Sequence, residues 1–83
     1  MRLAWSPRSL RDLEEATEWS TGQAAAVVET MERMARIGWS LGKPTRRPGV
    51  RYWPVPPLGV FYEVPDELRV LQVVDARRLL EEP

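Results

Sequence analysis

Residues 50–74 have the sequence VRYWPVPPLGVFYEVPDELRVLQVV, in which three β-rich runs are separated by proline-containing connections. The runs 50–55, 58–64 and 68–74 are rich in the β-branched and aromatic residues that strands favour. Pro56-Pro57 makes the first connection, and Pro65-Asp66-Glu67 makes the second as a tight hairpin turn. This stretch predicts an antiparallel meander of three strands. Its last apolar run, residues 70–74, is nearly apolar on both sides and is predicted to lie in the middle of the sheet.

A strand and a helix are predicted at the start of the chain. Leu3 and Trp5 alternate at period two, so residues 2–5 fit an opening strand. Ser6-Pro7 is an N-cap followed by proline at the first helical position, where the missing N–H costs nothing. Apolar residues at a spacing of three to four then continue to Thr21-Gly22, which we expect to end this helix and cap the next. The stripe of this first helix consists of Leu10, Leu13, Ala16 or Thr17, and Trp19 or Ser20.

A second, longer helix is predicted from Gln23 until Gly38, Gly42 and Pro44 end the pattern. With only a tight turn between them, the two helices should form an antiparallel hairpin packed on the sheet. Its apolar stripe consists of Ala24, Val27, Val28, Met31, Met34 and Ala35. No repeat or linker interrupts the chain, so a single α+β domain over residues 1–83 is the expected architecture.

Composition excludes several function classes. The 83 residues are 43% hydrophobic and 29% charged, as in ordinary globular domains. The sequence contains no cysteine and no histidine, so thiolate nucleophiles, disulfides and the commonest general base and metal ligand are unavailable. We predict no cofactor and no metal. The N-terminal residues lack an apolar signal core and no stretch approaches the roughly 20 apolar residues of a membrane helix, so we expect a cytoplasmic protein without a membrane partner.

The charges are sorted along the chain although the net charge is zero. Six acids and no base occur between Asp12 and Glu32, whereas six bases and no acid occur between Arg33 and Tyr62. This order indicates a positive pole that would favour polyanions or an acidic partner. The alternative is that the acids are a solvated helix face and the two sets neutralise each other. The six bases are Arg33, Arg36, Lys43, Arg46, Arg47 and Arg51.

The landmarks together resemble the RelE/ParE family of bacterial toxins. The opening Leu-Ala-Trp-Ser-Pro-Arg-Ser-Leu-Arg-Asp-Leu-Glu-Glu, residues 3–15, resembles the first strand and helix of that family, with its aromatic-Ser/Thr-Pro-x-Ala/Ser-x-x-Asp-Leu pattern. Residues 48–51, 60–64 and 68–78 resemble its three-strand meander, including the Val-x-Tyr-x-Val strand and the basic residues after the last strand. The resemblance covers almost the whole chain. It implies an α+β fold in which a strand and a two-helix hairpin pack on a small antiparallel sheet with a C-terminal three-strand meander.

The resemblance also implies a toxin of a type II toxin–antitoxin pair, wrapped by a cognate antitoxin. RelE-like members cleave mRNA in the ribosomal A site, and ParE-like members poison DNA gyrase. The ribosome with mRNA is the first expected target and gyrase is the alternative. A third possibility is an inactive member that keeps only antitoxin binding.

Carried over residue by residue, the ribonuclease branch implies three catalytic arginines. Arg51 falls on the first meander strand, and Arg77 and Arg78 follow the last strand. Gly59 stands where the family carries an arginine on the middle strand, and Asp75 stands roughly where many relatives carry histidine. The terminal tyrosine of the family has no counterpart among residues 81–83. The three arginines predict a ribosome-dependent endoribonuclease, whereas the departures at Gly59, at Asp75 and in residues 81–83 leave the gyrase and inactive alternatives in place.

Four further residues are candidates for RNA binding: Lys43, Arg46, Arg47 and Trp53. Trp53 lies two residues after Arg51, so the pair shares one strand face and could stack a base while binding its phosphate. Alternatively, Trp53 covers the core and the long side chain of Arg51 reaches past it to solvent. We predict core packing for Trp5, Trp19, Trp39 and Tyr62. Glu63 and Asp75 are the carboxylates nearest in sequence to the predicted site, but an acid there is more often a solvated strand residue.

Overall fold

The computed structural model describes residues 1–38 and 42–81, apart from the side chains of 79–81. The predicted position of Trp39 lies outside the described residues. The elements in chain order are β1 Leu3–Trp5, α1 Pro7–Trp19, α2 Thr21–Ile37, β2 Lys43–Pro44, β3 Val50–Val55, β4 Leu58–Glu63, β5 Leu68–Asp75 and α3 Ala76–Glu81.

The strands form one sheet in the order β1-β5-β4-β3-β2. The meander β3-β4-β5 is antiparallel throughout, as predicted, whereas β1 pairs with β5 in parallel, which makes the sheet mixed. The prediction that residues 70–74 form the middle strand is wrong, because β4 is the middle strand and β5 lies between β4 and β1. An interior position of either kind buries both edges of a strand, so an apolar run alone does not distinguish them.

Both long helices cover one face of this sheet, which we call the helix face. Residues of α2 with at most 5% exposure, among them Val27 and Met31, pack against Val60 and Tyr62 of β4 and Val70 of β5. The buried position predicted for Tyr62 is thus confirmed, and so is the predicted fold class.

The start of α1 is tied directly to β5. The Ser6 hydroxyl accepts a hydrogen bond from the backbone N–H of Ser9 at 3.0 Å and donates one to the carbonyl of Leu71 at 2.8 Å. The backbone N–H of Ser6 donates to the carbonyl of Val70 at 3.0 Å. The Ser-Pro sequence therefore caps the helix, as predicted, and also continues the pairing of β5 where β1 ends.

Asp12, further along α1, binds the same edge of β5. Its carboxylate accepts a hydrogen bond of 2.9 Å from the backbone N–H of Val73. Because β1 reaches only to Val70 in its pairing with β5, this N–H has no strand partner on that side. The serine and aspartate of the Ser-Pro-x-Ser-x-x-Asp pattern thus close the edge of β5 with side chains of α1.

The turn between the helices differs from its prediction. Thr21 and Gly22 belong to α2, and Ser20 alone separates the helices, with φ −152° and ψ 63°. The Thr21 hydroxyl donates to the carbonyl of Thr17 at 2.7 Å, at the end of α1. Gly22 has no atom near the position of a side chain, so it is tolerated in the first turn without acting as a helix stop. The end of α2 at Gly38 is confirmed, with a left-handed φ of 82°.

The apolar stripe of α1 is rotated from its predicted position. Ser9 and Ala16 are buried and Leu13 is partly buried against the core, whereas Leu10 is 52% exposed. The bonds from Ser6 and Asp12 to β5 fix the rotation of the helix, and the inward face follows Ser9, Leu13 and Ala16 at a spacing of four and three. Periodicity counted on apolar residues alone misses a buried serine, which is satisfied here by donating to the carbonyl of Ser6 at 2.8 Å.

Pro54 lies in β3 with its backbone nitrogen on the side that faces β2. The N–H and carbonyl of Val50 bond to Arg47 and Thr45 on the β2 side of β3, and alternate residues of a strand direct these groups to the same side. The backbone of Tyr52 and Pro54 therefore also faces the β2 side, but β2 ends opposite Tyr52. Pro54 therefore lies beyond the described part of β2, where its missing N–H costs no hydrogen bond to β2.

Candidate functional site

The charges that are sorted along the sequence are only partly separated in the fold. At its start, α2 lies beside the β3–β4 turn, because the amide of Gln23 donates to the carbonyl of Pro56. At its end it lies beside β1, because the ammonium of Met1 donates to the carbonyl of Ala35 at 2.7 Å. The last two turns of α2, which carry Arg33 and Arg36 beside Glu32, are therefore at the end of the sheet where β3 and β5 begin. Acidic residues of α1 approach the opposite end, where β5 finishes.

Acids also occur at the basic end, in the β4–β5 turn. Arg69 pairs with Glu63 at 3.0 Å and with Glu67 at 3.2 Å. Both carboxylates raise the pKa of Arg69, chiefly through the hydrogen bond that Arg69 donates to Glu67. Glu63, one of the two carboxylates considered as a proton acceptor, is thus engaged by a guanidinium.

The three cations Lys43, Arg46 and Arg47, here called the basic hairpin, are exposed on and beside the β2–β3 turn. Thr45 orders this turn: its hydroxyl accepts from the N–H of Arg47 at 3.2 Å and donates to the carbonyl of Val50 at 3.0 Å. Gly49 supplies the positive φ of 81° that the turn requires. The two guanidinium groups are therefore carried by an ordered turn.

Arg51 and Trp53 share one strand face, as their spacing predicted, and that face is the helix face. Arg51 is opposite the buried Tyr62 and Trp53 is opposite the buried Val60 in the β3–β4 register. Trp53 packs against the core, which matches the core-covering interpretation, and base stacking by Trp53 stays a prediction. The guanidinium of Arg51 donates to the carbonyl of Gly42 at 3.1 Å.

The other face of the sheet, here called the open face, carries an aromatic pair. The rings of Tyr52 and Phe61 have centroids 4.9 Å apart at an angle of 56°. Gly59 lies beneath Tyr52, and a Cβ atom on Gly59 would be 2.6 Å from Cε1 and Cζ of that ring. The tyrosine therefore fills the space of a middle-strand side chain, which explains glycine where the family pattern has arginine. Partial burial raises the pKa of the Tyr52 hydroxyl. Sequence reasoning did not single out Tyr52.

Arg77 and Arg78 lie at the start of α3, beyond the end of β5. The Arg77 guanidinium binds Asp75 with both arms, Nε to Oδ1 at 2.9 Å and Nη2 to Oδ2 at 2.8 Å, and its backbone N–H also donates to Oδ1. The hydrogen bond from the Arg77 side chain is the main reason why the pKa of Asp75 is lowered. Asp75, the other carboxylate considered as a proton acceptor, is thus held in its charged form. Arg78 is exposed.

The same guanidinium lies over the indole of Trp19, with its Cζ 5.1 Å from the ring centroid. The prediction that Trp19 packs in the core is wrong, because 47% of the residue is exposed. Its position at the end of α1 places the ring at the rim of the core, where Arg77 covers part of it. Trp5, in contrast, packs against the core as predicted.

A cleft opens between α1, the ends of β4 and β5, and the start of α3. It has a volume of about 520 Å³. Its floor is apolar and its rim is charged. The lining residues are Asp12, Glu15, Ala16, Trp19, Leu58, Val73, Val74, Asp75, Arg77 and Arg78.

The structure does not bring the three predicted catalytic arginines together. Arg51 is opposite Tyr62, whereas Asp75, which binds Arg77, is opposite Leu58 at the other end of β4. Four residues of strand at about 3.3 Å each separate these positions by roughly 13 Å along the sheet, before the spacing of the strands is added. Only Arg77 and Arg78 are neighbours.

No helix within the described ranges 1–38 and 42–81 combines the length and the apolar character needed to cross a membrane. Among the described side chains, those of residues 1–38 and 42–78, no three acidic groups are arranged as metal ligands.

The element order and sheet topology define a small α+β fold: a strand, a helical hairpin and a meander joined in one mixed sheet. Among solved structures, a chain described as "Chromosomal ParDE TA system from P. aeruginosa" has this fold, with a TM-score of 0.71 over 90% of the present chain and 95% of its own. The two sequences are 18% identical. No protein-family model matches the sequence, and no curated protein matches it.

Proposed function

We propose that this protein is the toxin component of a type II toxin–antitoxin pair, bound and neutralised by a cognate antitoxin. The observation that carries the proposal is the end-to-end agreement in fold with a chain of a ParDE TA system. In support, Ser6 and Asp12 of the Ser-Pro-x-Ser-x-x-Asp pattern, which begins the family resemblance, hydrogen-bond α1 to β5. The resemblance therefore involves interactions that build the fold.

The proposal is tested by co-expressing the chain with the protein encoded by the adjacent reading frame. We expect a stable complex on size-exclusion chromatography with light scattering, and a measurable dissociation constant after the partners are separated and remixed. A folded chain that does not bind that protein would count against the proposal.

The first candidate target is mRNA on the ribosome. This candidate is supported by the exposed cations of the basic hairpin, which suit a polyanion, and by the adjacent Arg77 and Arg78. Cleavage through the RNA 2′-hydroxyl needs a proton acceptor and cations close to one phosphate. Toeprinting on translating ribosomes tests this candidate: new cleavage sites support it, and intact mRNA with folded protein argues against it.

A second candidate is a non-enzymatic gyrase poison. The specific observation in its favour is the wide spacing of Arg51 and Arg77, together with Tyr52 in the place of a middle-strand arginine. Such an arrangement has no evident arginine set around one phosphate. A supercoiling and cleavage-complex assay with purified gyrase decides it, and the absence of any effect at micromolar protein would remove this candidate.

A further inference from the structure

The Arg77 guanidinium occupies a two-sided site. The carboxylate of Asp75 binds both of its arms, at 2.9 and 2.8 Å, and the indole of Trp19 lies against its face at 5.1 Å. A carboxylate that matches the guanidinium fork and an aromatic face that stacks on it are the two features with which proteins recognise arginine. Because the guanidinium of Arg77 occupies the site, the protein itself indicates that Asp75 and Trp19 together can bind a guanidinium group.

Arg77 is a solvent-exposed occupant of this site. Its side chain is 64% exposed, and it lies only two residues from Asp75 along the chain. Exposed ion pairs of this kind are weak because water and salt screen them. A guanidinium carried by another molecule can therefore compete for Asp75 and Trp19.

The surroundings of the site favour a cation with an apolar neighbour. The cleft continues from Trp19 over an apolar floor of Ala16, Leu58 and Val73. Its rim carries three carboxylates, those of Asp12, Glu15 and Asp75, against two arginines. Arg8 pairs with Asp12 at 3.9 Å, so once the Arg77 side chain swings out, three carboxylates remain against Arg8 and Arg78. The field in the cleft then opposes an acidic segment and favours a basic one.

We propose that the cleft between Trp19 and Asp75 binds an arginine side chain of the antitoxin, which displaces Arg77 from these two residues. An apolar side chain next to that arginine packs on the floor formed by Ala16, Leu58 and Val73. The identity of the partner rests on the proposed function, whereas the guanidinium chemistry of the cleft does not.

Two variants with opposite expected effects test the inference against the protein encoded by the adjacent reading frame. Asp75→Asn removes the charged fork and should weaken binding about tenfold. Arg77→Gln removes the competing occupant and should tighten binding, by about threefold to tenfold. Arg11→Gln is the matched control, because Arg11 is an exposed arginine of α1 that does not line the cleft, and its affinity should equal that of the wild-type protein.

Weaker binding by Arg77→Gln would overturn the inference, because Arg77 itself would then contact an acidic group of the partner. Unchanged binding by both variants would overturn it as well, while leaving the proposed function intact. Urea titration of each variant confirms that the compared proteins are folded.

A second measurement probes the site without any antitoxin. N-acetyl-arginine amide is titrated into the protein while the indole N–H of Trp19 is followed by NMR, with the uncharged citrulline analogue as the control. We expect a saturable shift with the arginine compound only, at lower concentration in Arg77→Gln than in the wild type. Equal shifts with both compounds, or none with either, would refute an arginine site even if the antitoxin binds elsewhere.

Discussion

Replacement of Asp12 by alanine should destabilise the protein through a single backbone group. The Asp12 carboxylate is the acceptor for the N–H of Val73, at 2.9 Å, and Val73 is 6% exposed. Loss of a hydrogen bond to a charged group costs about 1.5 to 3 kcal/mol, especially when the remaining donor is buried. Alanine gains about 0.5 kcal/mol of helix propensity over aspartate. The ion pair with Arg8, at 3.9 Å with Arg8 71% exposed, contributes little.

The expected net loss for Asp12→Ala is therefore about 1 to 2.5 kcal/mol of unfolding free energy. In a domain of this size that corresponds to roughly 5 to 15 °C in the melting temperature. Asp12→Asn keeps a neutral acceptor and should lose about half as much. The matched control is Glu14→Ala on the exposed face of α1, which should stay within about 0.5 kcal/mol of the wild type.

Urea unfolding with an unchanged m-value gives the free energies, and amide hydrogen exchange gives the local effect. Exchange of the Val73 N–H should accelerate in Asp12→Ala beyond the acceleration expected from global stability. If Asp12→Ala and Glu14→Ala have the same stability, and the Val73 amide is unaffected, the account of how α1 closes the edge of β5 is refuted.

Three further predictions concern the sheet, α3 and the basic hairpin. Gly59→Ala should cost about 1 to 3 kcal/mol by overpacking against the Tyr52 ring, measured by urea unfolding, and the cost should vanish in a Tyr52→Ala background; an equal cost in both would contradict the packing account. Arg77→Gln should return the pKa of Asp75 towards its ordinary value, followed by NMR of the carboxyl carbon. The pKa of Asp75 in the folded protein is lower than its unfolded value of 3.8, so the stability that its charged form contributes is present above pH 3.8 and is lost as the pH falls through the folded value. The unfolding free energies of wild type and Arg77→Gln should therefore converge at acid pH. A difference that stays constant with pH would argue against this linkage. Replacing the basic hairpin by glutamines should weaken antitoxin binding more at low salt than at high salt, and calorimetry showing no salt dependence of the loss would exclude electrostatic steering by these residues.

Local chemistry made much of the fold predictable. The proline-punctuated runs of residues 50–74 gave the meander because each strand has its own composition and each connection its own turn residues. Ser6-Pro7 gave the start of α1, because a cap and a proline at the first helical position act within a few residues. The end of α2 at Gly38 was predictable for the same reason, because glycine readily adopts the left-handed conformation that ends a helix, and Gly38 has a φ of 82°.

Features that depend on distant contacts were not predictable. Asp12 lies on a polar position of an amphipathic helix, and nothing in its neighbours indicates that its partner is the N–H of Val73. The parallel pairing of β1 with β5 and the two-residue strand β2 have no periodicity long enough to detect. The core assignment of Trp19 failed because hydrophobicity does not report that a helix ends at the rim of the core.

In the candidate site, too, some features were predictable from local sequence and others depend on distant contacts. The spacing of Arg51 and Trp53 correctly predicted a common face, since side chains alternate along a strand. Which face that is depends on the register with Tyr62 of β4. Gly59 was recognised as a departure from the family pattern, but its cause, the ring of Tyr52, becomes visible only when β3 and β4 are paired.

The central claim, that this protein is a toxin held in check by an antitoxin, is tested most directly by bacterial growth. The chain is expressed from an inducible promoter, alone and together with the adjacent reading frame, and viable cells are counted after induction. The account predicts growth arrest with the chain alone and normal growth with both proteins. Normal growth during accumulation of the folded chain alone would contradict it.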